Sequence, residues 1–230
     1  RTCKNYINNC TWSLNNTYEE LIKDANITNK TDKISIVCSS KYYDEGHIKR
    51  IDFLKFNENK GNDALRIDIY GNVNEIYNFK CHKGILQPCD KGLGIKPYKY
   101  YFIAENNIEN NYITEKLWEP ILCETLCFYY GAPNASQHIN PLAFVQLDLN
   151  DFEASYQIMK ESIENNLWEK RIDIIREEKY KILNYYNFFP TVERIITKDL
   201  WKNKIEKLVS EKFDIDNVRT ELMNLEARQE

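Results

Sequence analysis

The sequence predicts an α/β fold, in which a parallel sheet carries helices on both faces and a helical C-terminal tail follows. The segments predicted to be strands are near-continuous apolar runs, such as residues 33–39 and 126–130, and this is typical of buried parallel strands. Helical patterns alternate with these runs, in the order strand, helix, strand, loop, strand, helix, strand, strand, then helices.

Size and charge narrow the class of protein. The 230 residues suffice for one large domain or two small ones, and for a substantial core. The formal net charge of −4 does not favour a protein that binds nucleic acid. No apolar run is long enough to span a bilayer, and no signal-peptide pattern opens the chain.

The sequence has seven cysteines, an odd number, and their spacing is irregular. No two of them form a CxxC pair, so no structural zinc or other metal site is expected. Disulfides Cys3–Cys10 or Cys81–Cys89 would need an oxidising compartment. We expect reduced thiols and a cytoplasmic protein; an upstream membrane anchor would instead indicate the Golgi or secretory route.

The predicted elements suggest three segments. Residues 1–32 form a polar N-terminal segment with a short helix capped by Thr17, residues 33–190 form the sheet domain, and residues 191–230 form C-terminal helices that pack on it or extend from it. Residues 72–96 are expected to be irregular. The remaining elements are predicted strands at 33–39, 66–70, 100–104 and 126–130 and within 141–149, and predicted helices at 47–57, 73–79, 151–165 (capped by Asn150 or Asp151), 167–186, 192–212 and 216–229.

The segment Tyr98–Asn134 is the centre of the prediction. Its first strand ends in Glu105 and Asn106, and its helix is expected to begin near Thr114. Open parallel sheets bind ligands at the carboxyl ends of their strands. The segment is therefore a candidate binding unit.

The residue types in this unit fit phosphate and sugar. Free N–H groups at a helix start attract phosphate, and Lys116 adds a full charge. A carboxylate such as Glu105 or Glu115 can accept hydrogen bonds from sugar hydroxyls. The alternative is that Thr114 only caps the helix while Glu115 and Lys116 lie on a solvated face, and spacing alone does not choose. Pro120 predicts a kink or a late helix start.

Arg50 is a second candidate, because it lies just inside the helix that follows the first strand. In a doubly wound sheet it would face the same crevice as Lys116, and two cations could clamp a diphosphate. Taken alone, Arg50 is more simply explained as a surface residue of an amphipathic helix. His47 and His138 are expected to be structural or exposed rather than catalytic.

Other nucleotide and catalytic motifs are absent. Gly92–Gly94 forms the only GxG, and it precedes a strand, which argues against a dinucleotide site; no Walker, HExxH or GxSxG pattern occurs. Asp214 and Asp216 form a DxD in the predicted helical tail, where chance is the simpler explanation.

The segments 98–106 (YKYYFIAEN) and 112–118 (YITEKLW) resemble the signature of α1,3-fucosyltransferases, glycosyltransferase family ten, which typically have YKF, FEN and DYxTEKL at this spacing. Supporting matches are residues 128–133, residues 144–152, and Arg50 with Phe53 three residues later. The resemblance covers Trp12 to Asn187.

The resemblance implies the Rossmann-like donor half of a GT-B glycosyltransferase, which uses GDP-fucose or a related nucleotide sugar as donor, with no separate cofactor and no essential metal. Arg50 and Lys116 would bind the diphosphate. Tyr112, Glu115 and Asn106 would contact nucleotide or sugar, with Glu105 and Thr114 in support. The reaction would be inverting transfer to a glycan or glycoprotein hydroxyl.

The sequence departs from the family's usual pattern at Ala104, Asn111 and Pro120. In the family, the general base is a glutamate of an amino-terminal acceptor domain. About thirty residues precede the first strand here, too few for such a domain. We therefore expect no identifiable base in this chain, and a separate acceptor domain or partner chain. A different GDP- or UDP-sugar donor and a non-catalytic nucleotide-sugar-binding module stay open as alternatives.

Overall fold

The computed structural model describes residues 12–23, 29–87 and 90–196. These residues contain a six-stranded, all-parallel sheet with the order β3-β2-β1-β4-β5-β6. The strands are β1 (Thr31–Val37), β2 (Ile67–Tyr70), β3 (His82–Gly84), β4 (Tyr98–Ala104), β5 (Leu126–Tyr130) and β6 (Phe144–Gln146). The strand order reverses between β1 and β4, and this is the switch point at which doubly wound sheets bind nucleotides.

The described helices are α1 (Tyr18–Lys23), α2 (Glu45–Asn59), α3 (Glu115–Leu122), α4 (Phe152–Glu164), α5 (Leu167–Lys181) and α6 (Phe188–Ile196). A π-helical turn, Ile182–Tyr186, continues α5. Short 3-10 turns lie at Gly61–Asp63, Asn72–Glu75, Lys91–Gly94 and Ala135–Gln137.

Strands β4 and β5 explain the continuous apolar runs, because every residue of β5 is buried and so are six of the seven residues of β4. Helices α2 and α4 pack together on one face, where the ring of Phe53 lies 5.0 Å from that of Phe102 and 5.8 Å from that of Phe152. Helices α3 and α5 contact each other and the sheet. The predicted α/β fold with helices on both faces is confirmed.

The predicted strands are all present, with bounds changed by a few residues. Strand β3 was missed, because its three residues, His-Lys-Gly, carry no apolar pattern; it is held by pairing to β2, with Ile69 opposite His82. The predicted helix at 73–79 is only the 3-10 turn Asn72–Glu75.

Helix starts follow the local sequence closely. The N–H of Glu20 donates to Thr17 Oγ1 (3.2 Å), and the N–H of Thr17 donates to Glu20 Oε2 (2.9 Å), which is a complete capping box. Asp151, not Asn150, caps α4 by accepting from the N–H of Ala154. Helix α3 begins at Glu115 in spite of Pro120, so its start is not delayed.

The chain groups into one compact unit through Asn187 and a second from Phe188. The N-terminal segment contributes to the core of the first unit through Leu14 and Leu21, both buried. Helix α6 of the second unit begins at Phe188 rather than near Val192. Predictions for residues beyond Ile196, including Asp214 and Asp216, lie outside the described residues, as do Cys3, Cys10 and Cys89.

Within the described residues, no disulfide joins Cys38, Cys81, Cys123 or Cys127. None of the helices in the described part of the chain is long and apolar enough to cross a membrane.

Candidate functional site

The crevice at the switch point begins with a close approach between α2 and the end of β4. The N–H of Gly46, in the first turn of α2, donates to the carbonyl of Asn106 (2.9 Å). A Cβ at residue 46 would lie 1.5 Å from the carbonyl oxygen of Glu105, so only glycine fits. This contact fixes the start of α2 beside the loop that leads to α3.

Glu105 ties the end of β4 to the start of α3. Its buried carboxylate accepts from the N–H of Thr114 at Oε1 (2.8 Å) and from the Thr114 hydroxyl at Oε2 (2.7 Å). The hydroxyl of Tyr129, on β5, also donates to Oε1 (3.2 Å). Three donors therefore hold this carboxylate in one orientation.

Lys116 lies over the same carboxylate. Its Nζ is 3.4 Å from Glu105 Oε2, 3.2 Å from Thr114 Oγ1 and 3.2 Å from Glu115 Oε1, and its side chain is only 14% exposed. Thr114 does cap α3, accepting from the N–H of Lys116. The alternative interpretation was therefore right that Thr114 caps the helix, but Lys116 does not lie on a solvated face.

The two carboxylates next to Lys116 respond to it differently. Burial raises the pKa of Glu105, and Lys116 together with the Thr114 hydrogen bonds offsets only part of that effect. Burial also acts to raise the pKa of Glu115, but Lys116 and Lys91 outweigh it, so this pKa is lowered. Glu115 is therefore the better ionised acceptor at the rim of the crevice.

Arg50 is buried, not a surface residue of α2. It is 4% exposed, its Nη2 lies 3.5 Å from Ser39 Oγ, and its Nε has no hydrogen-bond partner. Burial lowers the pKa of this guanidinium, and the nearby groups Cys38, Tyr101, Asp44 and Glu105 oppose the effect. No carboxylate of the described residues forms an ion pair with it. A buried cation of this kind is suited to receive an anion.

The seven candidate residues are placed in three ways. Glu105, Thr114, Glu115 and Lys116 form one contact cluster. Arg50 lies close enough for its charge to act on Glu105 but does not pair with it. Asn106 and Tyr112 lie half-buried in the loop between β4 and α3. The carbonyl of Asn106 accepts from the N–H of Gly46, and the N–H of Tyr112 donates to the carbonyl of Glu109 (3.2 Å).

Asn111 shows how this loop tolerates a departure from the family pattern. It adopts a left-handed backbone (φ 63°), which asparagine accepts more readily than most residues. Its N–H donates to Asn134 Oδ1, and its own Oδ1 accepts from Asn134 Nδ2, both at 2.8 Å. His138 Nε2 lies 2.8 Å from the same Oδ1, so His138 supports the loop, as predicted.

Sequence reasoning missed Gly46 and Tyr129. A glycine in the first turn of the helix after the first strand is a usable signal of close approach. The sequence gave no signal for Tyr129, because it lies in a buried apolar strand and its contact with Glu105 exists only in the folded chain. Within residues 12–23, 29–87 and 90–196, no three His, Cys, Asp or Glu side chains are grouped to hold a metal ion.

Comparison with known proteins shows the family of the chain. The family model for the C-terminal domain of glycosyltransferase family 10 (fucosyltransferase) matches residues 27–166. A 37-residue stretch is 49% identical to GDP-fucose protein O-fucosyltransferase 3 of Danio rerio, covering 16% of this chain and 8% of that protein.

The fold is similar to that of solved fucosyltransferases. A crystal structure of an α1,3-fucosyltransferase with GDP-fucose gives a TM-score of 0.50 at 19% identity, covering 66% of this chain and 41% of that one. A structure with GDP gives 0.49 at 17% identity, covering 71% and 50%. The chain thus spans half or less of the length of these relatives.

Proposed function

The chain belongs to glycosyltransferase family 10, and on this basis we propose that it transfers fucose from GDP-fucose to a hydroxyl of a glycan or glycoprotein acceptor. Two similar proteins support the proposal, a GDP-fucose protein O-fucosyltransferase and an α1,3-fucosyltransferase crystallised with GDP-fucose. The chemistry of the crevice supports it as well.

One observation carries the proposal: two largely buried cations, Lys116 and Arg50, belong to helices that start at the switch point, and Arg50 has an unpaired Nε. The diphosphate of a nucleotide sugar would supply the missing partner of Arg50 and would lie at the positive N-terminus of α3. Two cations bound to GDP would stabilise the charge that it gains on leaving, so the transfer would need no metal.

The neighbouring groups then have distinct tasks. Glu105 positions Thr114 and Lys116 through the contacts described above and does not itself need to touch the donor. Glu115 is partly exposed and ionised, so it would accept hydrogen bonds from sugar hydroxyls. Asn106 and Tyr112, in the loop between β4 and α3, would complete the nucleotide or sugar contacts.

The reaction is proposed to invert the anomeric centre. The acceptor oxygen attacks the anomeric carbon as the bond from that carbon to the β-phosphate oxygen breaks, and the electron pair leaves with GDP. A general base removes the acceptor proton. We assign no residue of this chain to that base.

Titration calorimetry with GDP, UDP and GDP-fucose tests the donor site. We expect GDP to bind with a dissociation constant in or below the millimolar range, and Lys116→Ala or Arg50→Ala to weaken binding at least about tenfold. Lys55→Ala is the matched control, because Lys55 lies on the exposed side of α2. If neither GDP nor UDP binds, the donor site is wrong.

Turnover is tested separately, by donor hydrolysis and by transfer to a panel of acceptors. Release of fucose from GDP-fucose that depends on Lys116 would support the enzyme. Tight GDP binding without any turnover would favour a nucleotide-sugar-binding module. UDP binding in preference to GDP would change the donor but keep the class of reaction.

A further inference from the structure

His47 occupies an unusual position beside the proposed donor site. It lies in the first turn of α2, is 3% exposed, and packs edge-on against the ring of Tyr43 at 4.9 Å. Its Nδ1 is 3.2 Å from Asp44 Oδ2 but outside hydrogen-bond geometry, so this buried nitrogen has no hydrogen-bond partner. A buried polar atom without a partner needs an explanation.

Three cations and one carboxylate act on the imidazole of His47. Arg50 lies one turn later on α2, Lys41 lies in the loop after β1, and Lys116 acts from α3; Asp44 is the opposing negative charge. The first turn of α2 is also the positive end of its helix dipole. Burial first, and Arg50 next, lower the pKa of His47, with Asp44 acting the other way and Lys41 and Lys116 adding to the effect. The ring is therefore neutral at neutral pH.

We propose that a nucleotide diphosphate bound in this crevice draws a proton onto His47, so that donor binding is linked to proton uptake. The inference rests on the proposed function, because the diphosphate must contact Arg50 and Lys116. Its negative charge would cancel the repulsion that these two cations exert on an imidazolium. A small rotation of the ring would then let the protonated Nδ1, 3.2 Å from Asp44 Oδ2, donate to that carboxylate, which would give the unpaired nitrogen a partner.

The linkage has a definite sign. The pKa of His47 in the free protein lies below its ordinary value of 6.5, and bound diphosphate raises it. Between those two values the complex holds more protons than the free protein, so affinity strengthens as pH falls. We expect GDP-fucose to bind about three- to tenfold more tightly near pH 6 than near pH 8, since a tenfold change accompanies each pKa unit.

Calorimetry of GDP-fucose binding to the whole chain, in buffers with different ionisation enthalpies near pH 6.5, measures the protons exchanged. GDP-fucose is the probe because its diphosphate is esterified at both ends and has no titrating proton near neutral pH. We expect uptake of roughly 0.2–0.8 proton in the wild type. We expect almost none in His47→Asn, and unchanged uptake in His82→Gln, a control on the edge strand β3.

Two results would overturn the inference while leaving the proposed function intact: GDP-fucose binding to wild type without proton uptake, or uptake that persists in His47→Asn. If that variant does not fold, NMR titration of the His47 ring with and without GDP-fucose decides, and an unchanged pKa counts against the linkage. Absence of GDP-fucose binding by wild type instead refutes the proposed donor, and the inference with it.

Discussion

Glu105 and Thr114 are joined by two hydrogen bonds, one from the backbone N–H and one from the hydroxyl of Thr114 to separate oxygens of the carboxylate (2.8 and 2.7 Å). This pair connects the end of β4 to the first turn of α3. It also holds the backbone next to Lys116, whose Nζ lies 3.4 Å from the same carboxylate. Much of the site's rigidity therefore depends on one buried glutamate.

Glu105→Gln should destabilise the protein by about 1–3 kcal/mol, because an amide presents one acceptor to Thr114 where the carboxylate presents two, and Lys116 loses its buried counter-ion. Denaturant unfolding measures the loss. Glu153→Gln is the control, since Glu153 is exposed and contacts Lys60 and Gln157 at the surface. Equal stability of the Glu105 variant and wild type would contradict the positioning role.

Gly46→Ala should cost at least about 2 kcal/mol and weaken GDP binding, because the new Cβ meets the backbone carbonyl of Glu105 and no side-chain rotation can relieve it. Thermal unfolding and GDP titration report the two effects. Gly92→Ala is the matched control, since its Cβ would have no neighbour nearer than 3.8 Å. A Gly46→Ala variant as stable as Gly92→Ala would show that the close approach is not required.

Arg50→Met should raise stability while it lowers affinity. The guanidinium is buried without a carboxylate partner among the described residues, so a methionine of similar length should stabilise the fold by about 1–3 kcal/mol. GDP binding should weaken at least about tenfold. Unfolding curves and calorimetry on the same variant test both halves. A variant with lower stability and full GDP affinity would assign Arg50 a structural role only.

Lys30 is another buried cation, remote from the crevice. Its Nζ donates to the carbonyl oxygens of Lys96, Tyr98 and Cys123 and to the hydroxyl of Thr125, at 2.6–3.2 Å. Burial lowers its pKa from 10.5 to about 8. It lies just before β1, at the end of the sheet opposite the site, so its role is structural.

The pH dependence of the free energy of unfolding should reveal the lowered pKa of Lys30. Between about pH 8 and 10.5 the unfolded chain holds a proton that the folded chain has released, so stability rises with pH across that window. Relative to Lys30→Met, the wild type should gain up to about 3 kcal/mol from pH 8 to 10.5. Paired urea titrations at several pH values measure the difference. A difference independent of pH would mean that Lys30 keeps its ordinary pKa.

The fold could be predicted well where the signal is local. Apolar runs of five residues predicted β4 and β5, and Thr17 and Thr114 predicted the starts of two helices through their own side chains. Strand β3 could not be found, because it exists only through pairing with β2. The domain limits at 32 and 190 stay predictions.

For the site, sequence alone determined the residue types at the strand end and helix start, and family resemblance supplied their proposed roles. Only the tertiary structure decided that Lys116 lies over Glu105, that the Nε of Arg50 is buried without a partner, and that His47 is buried beside Asp44. The burial of these side chains and the proximity of their charges arise because β1 pairs with β4, although more than sixty residues separate the paired positions in the sequence. No local sequence pattern specifies such a long-range contact.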